Sequence, residues 1–174
     1  MSLEISAETS FALDLTNAQQ YGPELLTDAN AASDPNGNEA DATTGWTPVS
    51  LTGTGANVFE SQGAVKNTGS YALHADANDT PTANAGFNKT VSGLDAGETY
   101  KFTGVVRHTG TGGKWVVAFD GAVATSIPTE STTFFSFEFE KAVAGSSVAI
   151  LISENSATND GGVYVDNLSL KKVL

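Results

Sequence analysis

Cysteine is absent from the 174 residues, which excludes disulfide staples, thiolate metal sites and cysteine nucleophiles together. Basic side chains are scarce: 8 against 20 acidic ones, for a formal charge of −12. Such a surface repels phosphate backbones, so a nucleic-acid partner is not expected. Long apolar runs are missing as well; nothing approaches the ~18 residues of a membrane span, and no membrane partner is expected. Helical periodicity is not sustained anywhere. Charged residues reach only 16%, under the roughly 25% of an average soluble domain. What is present is a 40% apolar share with 9% aromatics and 18 glycines. That is enough for one domain with a real core and too apolar for disorder.

The apolar residues alternate. Tyr100, Phe102 and Val106 fall on one side of the run Thr99 to His108, with Lys101, Thr103, Val105 and Arg107 on the other. Phe135, Phe137 and Phe139 alternate in the same way with Ser136, Glu138 and Glu140. Glu24-Leu25-Leu26, Ser70 to His74, Gly86 to Val91, Lys114 to Phe119, Val148 to Ile152 and Val163 to Leu170 read as further strands. Glycine-rich and Asx-rich turns separate them, including Ser92 to Gly97 and Thr109 to Gly113. Many short strands with regular turn signals predict an all-β chain, a jelly-roll β-sandwich.

Two stretches stand outside that pattern. Residues 1–22 carry Leu3, Ile5, Phe11, Leu13 and Leu15 in alternation with polar residues, too little apolar surface to fold alone. They are read as an extended N-terminal arm, with the sandwich spanning 23–174 and a break at Gly22-Pro23. The opening Met1 to Ser6 has neither a basic region nor a continuous apolar stretch and is not a secretory signal. Synthesis in a cytoplasm is the expectation. The polar excursion from Thr27 to Gly45 is long for a compact domain and is a functional or interfacial loop by default.

The order of motifs is similar to that of the carbohydrate-binding-module jelly roll, the galactose-binding-like sandwich of families 4, 9 and 22 that also occurs in phage structural proteins. The resemblance rests on Gly22-Pro23-Glu24-Leu25-Leu26, Gly45-Trp46, Gly69 to Leu73, Leu94 to Tyr100, and Val163 to Leu170. It covers nearly the whole chain outside the arm. It implies a core position for Trp46 and a structural Ca2+ held by Asp166, with Asp28 as a second ligand of that hard oxygen-seeking ion. The usual Asn-Gly-x-Phe/Glu segment after the first strand is replaced by Thr27-Asp28-Ala29-Asn30, so a family glutamate on calcium is not identifiable. An Asp at 166 that accepts backbone N–H bonds is the alternative.

Sugar rings pack on aromatic faces, which makes Trp115 and Tyr164 the glycan-stacking candidates, with Tyr21 and Phe59 as further surface aromatics. Trp115 alternates with Val117 and Phe119, which favours the core. No catalytic constellation emerges, and no enzyme is expected. Glu138 and Glu140 share a strand face roughly 7 Å apart without a supporting motif. The run Gly110 to Lys114 resembles a phosphate loop, but His108 stands at the first required glycine and Trp115 at the hydroxyl position.

Two functions remain. One is a virion structural protein: a phage capsid-decoration or head/tail-associated jelly roll, made in the host cytoplasm. It would dock on capsid or tail neighbours through the arm and form a homo-oligomer, a trimer by family analogy. The other is a carbohydrate-binding module that targets a partner enzyme or particle to a glycan.

Overall fold

The structure, a computed structural model, describes residues 19–26, 45–49, 58–76, 86–110, 115–127, 131–154 and 162–174. Eleven strands are described: β1 (Tyr21–Glu24), β2 (Thr47–Val49), β3 (Val58–Gln62), β4 (Ala72–Asp76), β5 (Gly86–Ser92), β6 (Thr99–His108), β7 (Trp115–Phe119), β8 (Ala122–Ile127), β9 (Phe135–Ala142), β10 (Ser147–Glu154) and β11 (Gly162–Val173). No helix occurs among the described residues. The arm candidates Leu3, Ile5, Phe11, Leu13 and Leu15, the calcium candidate Asp28 and most of the Thr27 to Gly45 excursion lie outside them.

The strands form two antiparallel sheets. One runs β3-β4-β11-β6-β9, with β1 added to β11; the other runs β2-β5-β10-β7-β8. Apart from the β3–β4 and β7–β8 pairs the neighbours are non-consecutive, and chain-end strands β1 and β11 pair with each other, which gives the jelly-roll sandwich expected from the alternation. The period-2 pattern sends Phe102, Val106, Leu170 and Phe137 of the first sheet inward against Phe87, Phe119, Ile150 and Ile152 of the second. Phe102 stacks on Phe119 at 5.4 Å and meets Phe137 edge-on at 5.2 Å, which ties the layers together. Trp46 is buried and T-shaped against Phe87, as the resemblance implied.

β11 is the spine of the first sheet. Along one edge it pairs with β6 over its length; the opposite edge is shared by β4, on Gly162 to Val165, and β1, on Lys171 to Val173. Where the two meet, the ladder is interrupted and two carboxylates fill the gap. Glu24 Oε1 accepts the backbone N–H groups of Leu25 (3.0 Å), Leu26 (2.9 Å) and Leu170 (2.8 Å), and its Oε2 accepts the Ser169 hydroxyl. Asp166 Oδ2 accepts the N–H groups of Asn67 (2.8 Å) and Thr68 (3.1 Å), and Oδ1 that of Asn167 (2.7 Å). The register of β11 shifts there, with Asn167 in the left-handed region at φ 52°. Leu168 is thereby directed into the core, where it occupies the space above Gly104.

Tyr21 and Gly22, placed in the arm by the sequence, belong to β1. Gln20 also accepts the N–H of Leu174 at 2.9 Å, so the sandwich begins upstream of residue 23.

Candidate functional site

The outward side chains of β6 and β11 define one face. Register pairs Tyr164 with Arg107, Asp166 with Val105, Ser169 with Thr103 and Lys171 with Lys101. β9 adds Ser136 opposite Val105, Glu138 opposite Thr103 and Glu140 opposite Lys101. β4 and β3 extend one row, since His74 pairs with Tyr164 and Glu60 with His74. Glu60, His74, Tyr164 and Arg107 therefore stand side by side on four strands, a row of about 14 Å at the usual strand spacing.

Three hollows open on this face. Tyr21, Lys101, Thr103, Ser169 and Lys171 line one of about 150 Å³. The next, about 340 Å³, is lined by Thr103, Val105, Ser136, Glu138 and Asn167 over Gly104 and Phe137. The third, about 270 Å³, is lined by Arg107, Thr109, Ser131 and Thr132. Thr103 is the shared wall of the first two. From Lys101 to Arg107 the groove runs about 20 Å at the rise of a strand, several pyranose rings long.

Tyr21 is the tyrosine that lines a hollow, and Tyr164 lies on the same face, largely buried. The Tyr164 ring stacks on His74 at 4.3 Å and 11°, and His74 Nδ1 lies 3.1 Å from Glu60 Oε1. A Cβ on residue 162 would run into His74 Nε2, so Gly162 is what lets that ring lie against the sheet. Burial, then the charge of Asp76, raises the Tyr164 pKa, with Arg107 opposing. The hydroxyl stays a neutral donor and acceptor across the physiological range. At the other end Lys101 Nζ bonds Glu138 at 2.6 Å and the Tyr21 hydroxyl at 3.0 Å; both bonds hold the ammonium well above its ordinary pKa.

Of the aromatics singled out in the sequence, Tyr21 lines a hollow, and Tyr164 is on the same face but lines none of the three. Trp115 is not on that face: it is 0% exposed, between the sheets, with an indole N–H that has no hydrogen-bond partner. A ring so enclosed cannot stack on a sugar, and the inward phase of β7 is the reason. Phe59 is packed on Phe87 at 4.9 Å rather than displayed. Asp166 is 0% exposed, and its contacts are those of a backbone clamp. Calcium seeks six to eight oxygens, whereas this carboxylate faces three N–H groups. Among the described residues no cluster of three or more His, Cys, Asp or Glu could hold a metal. The described contacts of Asp166 put N–H donors on both of its oxygens, and its expected co-ligand Asp28 lies outside the described residues. Glu138 and Glu140 lie on the exposed side of β9 beside Lys101. His108 points into the core.

Arg107, His74, Glu60 and Lys171 were not singled out. The alternation of β6 already put Lys101, Thr103 and Arg107 on one face, but which strands flank β6 is a matter of cross-strand order that periodicity does not carry.

No protein-family model and no curated protein matches this sequence. Solved structures do. A CBM22-1 xylan-binding domain from Paenibacillus barcinonensis matches at TM-score 0.59 and 14% identity, over 90% of this chain and 98% of that one. The C-terminal family 22 carbohydrate-binding module of a Clostridium thermocellum xylanase matches at TM-score 0.59 and 14% identity, over 81% and 96%. The enzymatically active domain of tailspike protein 4 from bacteriophage CBA120 matches at TM-score 0.61 and 17% identity, over 83% of this chain but 22% of the tailspike. At these identities the likeness is one of fold.

Proposed function

The fold is the carbohydrate-binding-module jelly roll, and from this premise we propose that the chain is a non-catalytic glycan-binding module that takes a saccharide chain along the outer face of the six-stranded sheet. The observation that carries the reading is the coincidence of all three hollows on that face. They are walled by hydroxyls, an amide, cations and one carboxylate, with the Tyr21 ring in the first of them. Sugars offer alternating apolar ring faces and hydroxyl edges, and a small set of convergent polar groups around an aromatic is what recognises them. The match to whole xylan-binding domains over nearly their full length supports the same reading and makes β-linked xylo-oligosaccharides the first ligands to try.

Two substitutions of equal chemistry test the face. Thr103→Arg fills the wall shared by two hollows; Thr90→Arg, exposed on β5, puts the same bulk on the opposite sheet. In calorimetric titration with the glycan selected on an array, Thr103→Arg is expected to weaken binding about 10-fold or more, the scale of a central contact. Thr90→Arg should bind as the parent does. The reverse pattern would put the site on the other sheet, and an empty array would end the glycan reading.

A second reading keeps the virion role, and the tailspike match favours it. Here the module sits in a phage particle, anchored through Leu3, Ile5, Phe11, Leu13 and Leu15, with its groove turned to the host surface. Light scattering on the full chain and on a Phe11→Ser/Leu13→Ser variant tests the anchor. An oligomer that becomes monomeric in the variant supports it; an unchanged mass in both removes the arm as a contact between copies of this chain.

A further inference from the structure

Cations on an acid-rich chain often find carboxylates, and three do here. Lys101 pairs with Glu138 at 2.6 Å, Lys141 with Asp120 at 3.0 Å and Lys172 with Asp95 at 2.9 Å. Arg107 has no carboxylate partner among the described residues. Glu60, the acid at the far end of the row, pairs with His74. Instead Arg107 Nε donates to the Ser131 carbonyl at 3.0 Å. That bond uses the Nε–H and none of the four N–H donors on the two terminal nitrogens, and Arg107 lines a hollow of about 270 Å³. The rest of the lining is hydroxylic. Thr109 Oγ1 donates to the Gly162 carbonyl; Ser131 Oγ donates to the Thr133 carbonyl and accepts the Thr133 N–H at 3.3 Å, so each oxygen keeps at least one lone pair for a ligand hydroxyl.

A planar fork held at its Nε and ringed by hydroxyl acceptors matches a carboxylate carried on a polyol. We infer that the Arg107 end of the groove is a carboxylate subsite that takes a uronic-acid substituent of an otherwise neutral glycan. The inference rests on the glycan-binding reading and narrows it. Lys171, at the opposite end of the groove, also lacks a carboxylate among the described residues and gives a weaker, unforked counterpart. The overall charge of −12 argues against a polyanion, because a ligand charged at every residue meets repulsion along its whole length. At physiological salt the screening length is about 8 Å. An isolated carboxylate held against Arg107 therefore feels its own fork far more than the remote acidic surface.

The test is an array of matched oligosaccharide pairs, each backbone printed once with its uronate substituents and once after reduction of the carboxyl to the alcohol. Calorimetric titration of the best pair follows. The uronate form is expected to bind about 10-fold tighter, the scale of one charge-assisted bidentate contact. Arg107→Gln should erase the difference between the two forms, and Arg107→Lys, which keeps the charge without the fork, should restore only part of it. Melting curves identify any variant that fails to fold. Equal binding of both forms by the parent chain overturns the carboxylate subsite and leaves glycan binding standing. A uronate preference that survives Arg107→Gln places the charge recognition elsewhere and overturns it too. Absence of binding to every pair removes the glycan reading and this inference with it.

Discussion

At the scale of single residues, the informative carboxylates are Glu24 and Asp166, which accept backbone N–H groups where the ladder along β11 is broken. Their charge matters because every neighbour is a donor. Asp166→Asn would turn one oxygen into an NH2 group facing other N–H groups; the expected loss is about 2 kcal/mol in urea unfolding, the value of hydrogen bonds to a charged acceptor. Glycan affinity should be little changed. With both oxygens so used, millimolar calcium is expected to leave the melting temperature of the parent chain where it is, and a rise of several degrees would show a metal site this donor set does not suggest. Tyr164 gives a pH signature. Its folded pKa is raised by burial, so between the unfolded value near 10 and the raised one the folded state holds the proton that the unfolded state releases. Stability falls as pH rises through that window. Tyr164→Phe should flatten this part of the alkaline unfolding curve, read by circular dichroism.

Elements fit together through one close approach. The register shift in β11 turns Leu168 inward onto β6, and only a residue without a side chain leaves room for it: a Cβ on Gly104 would run into Leu168 Cδ2 and stand 2.9 Å from Phe137 Cε1. Gly104→Ala is expected to cost about 1–3 kcal/mol, the range for overpacking. Combined with Leu168→Ala it should cost about 1 kcal/mol less than the two single losses added, the signature of direct contact. The same region shows what was legible beforehand. Long strands with clean alternation, β6 and β9, were readable to the residue, and so was the inward phase of Phe102 and Phe137. β8, Ala122–Ile127, was missed because its small and polar residues alternate weakly; β2 was missed because it is three residues long and carries Pro48. For Asp166 in the Asp-Asn-Leu-Ser run of β11 the sequence left two readings open, a metal ligand or an acceptor of backbone N–H groups, since the two look the same in sequence; the described contacts are of the second kind. The groove was legible only by halves. Arg107 and Lys101 could be put on one face of β6, but Tyr164 and His74 join them through pairing between strands far apart in the chain.

For the molecule as a whole, the two tryptophans report on the layers and not on the ligand. Trp46 and Trp115 both lie in the core, so emission should be blue-shifted, resistant to iodide, and unchanged when a glycan fills the groove; quenching on binding would mean a ligand between the sheets. Lys89 is the one cation that the sandwich encloses among the described residues, its Nζ 3.3 Å from the Gly45 carbonyl and 5.7 Å from the centre of the Trp46 ring, and burial lowers its pKa. The unfolded chain holds that proton to higher pH than the folded one, so this group adds stability as pH rises towards 10.5, opposite in sign to Tyr164 above pH 10. The pairing of β1 with β11 has one more consequence. Gln20 and Leu174 are hydrogen-bonded neighbours, so the polypeptide enters and leaves the sandwich at one point. A unit with a common doorway can be set into a surface loop of a larger host without prising that loop apart. It can equally be recut: joining residue 174 to residue 20 through a short glycine linker and opening the β7–β8 hairpin at Asp120-Gly121 should give a circular permutant that keeps both sheets.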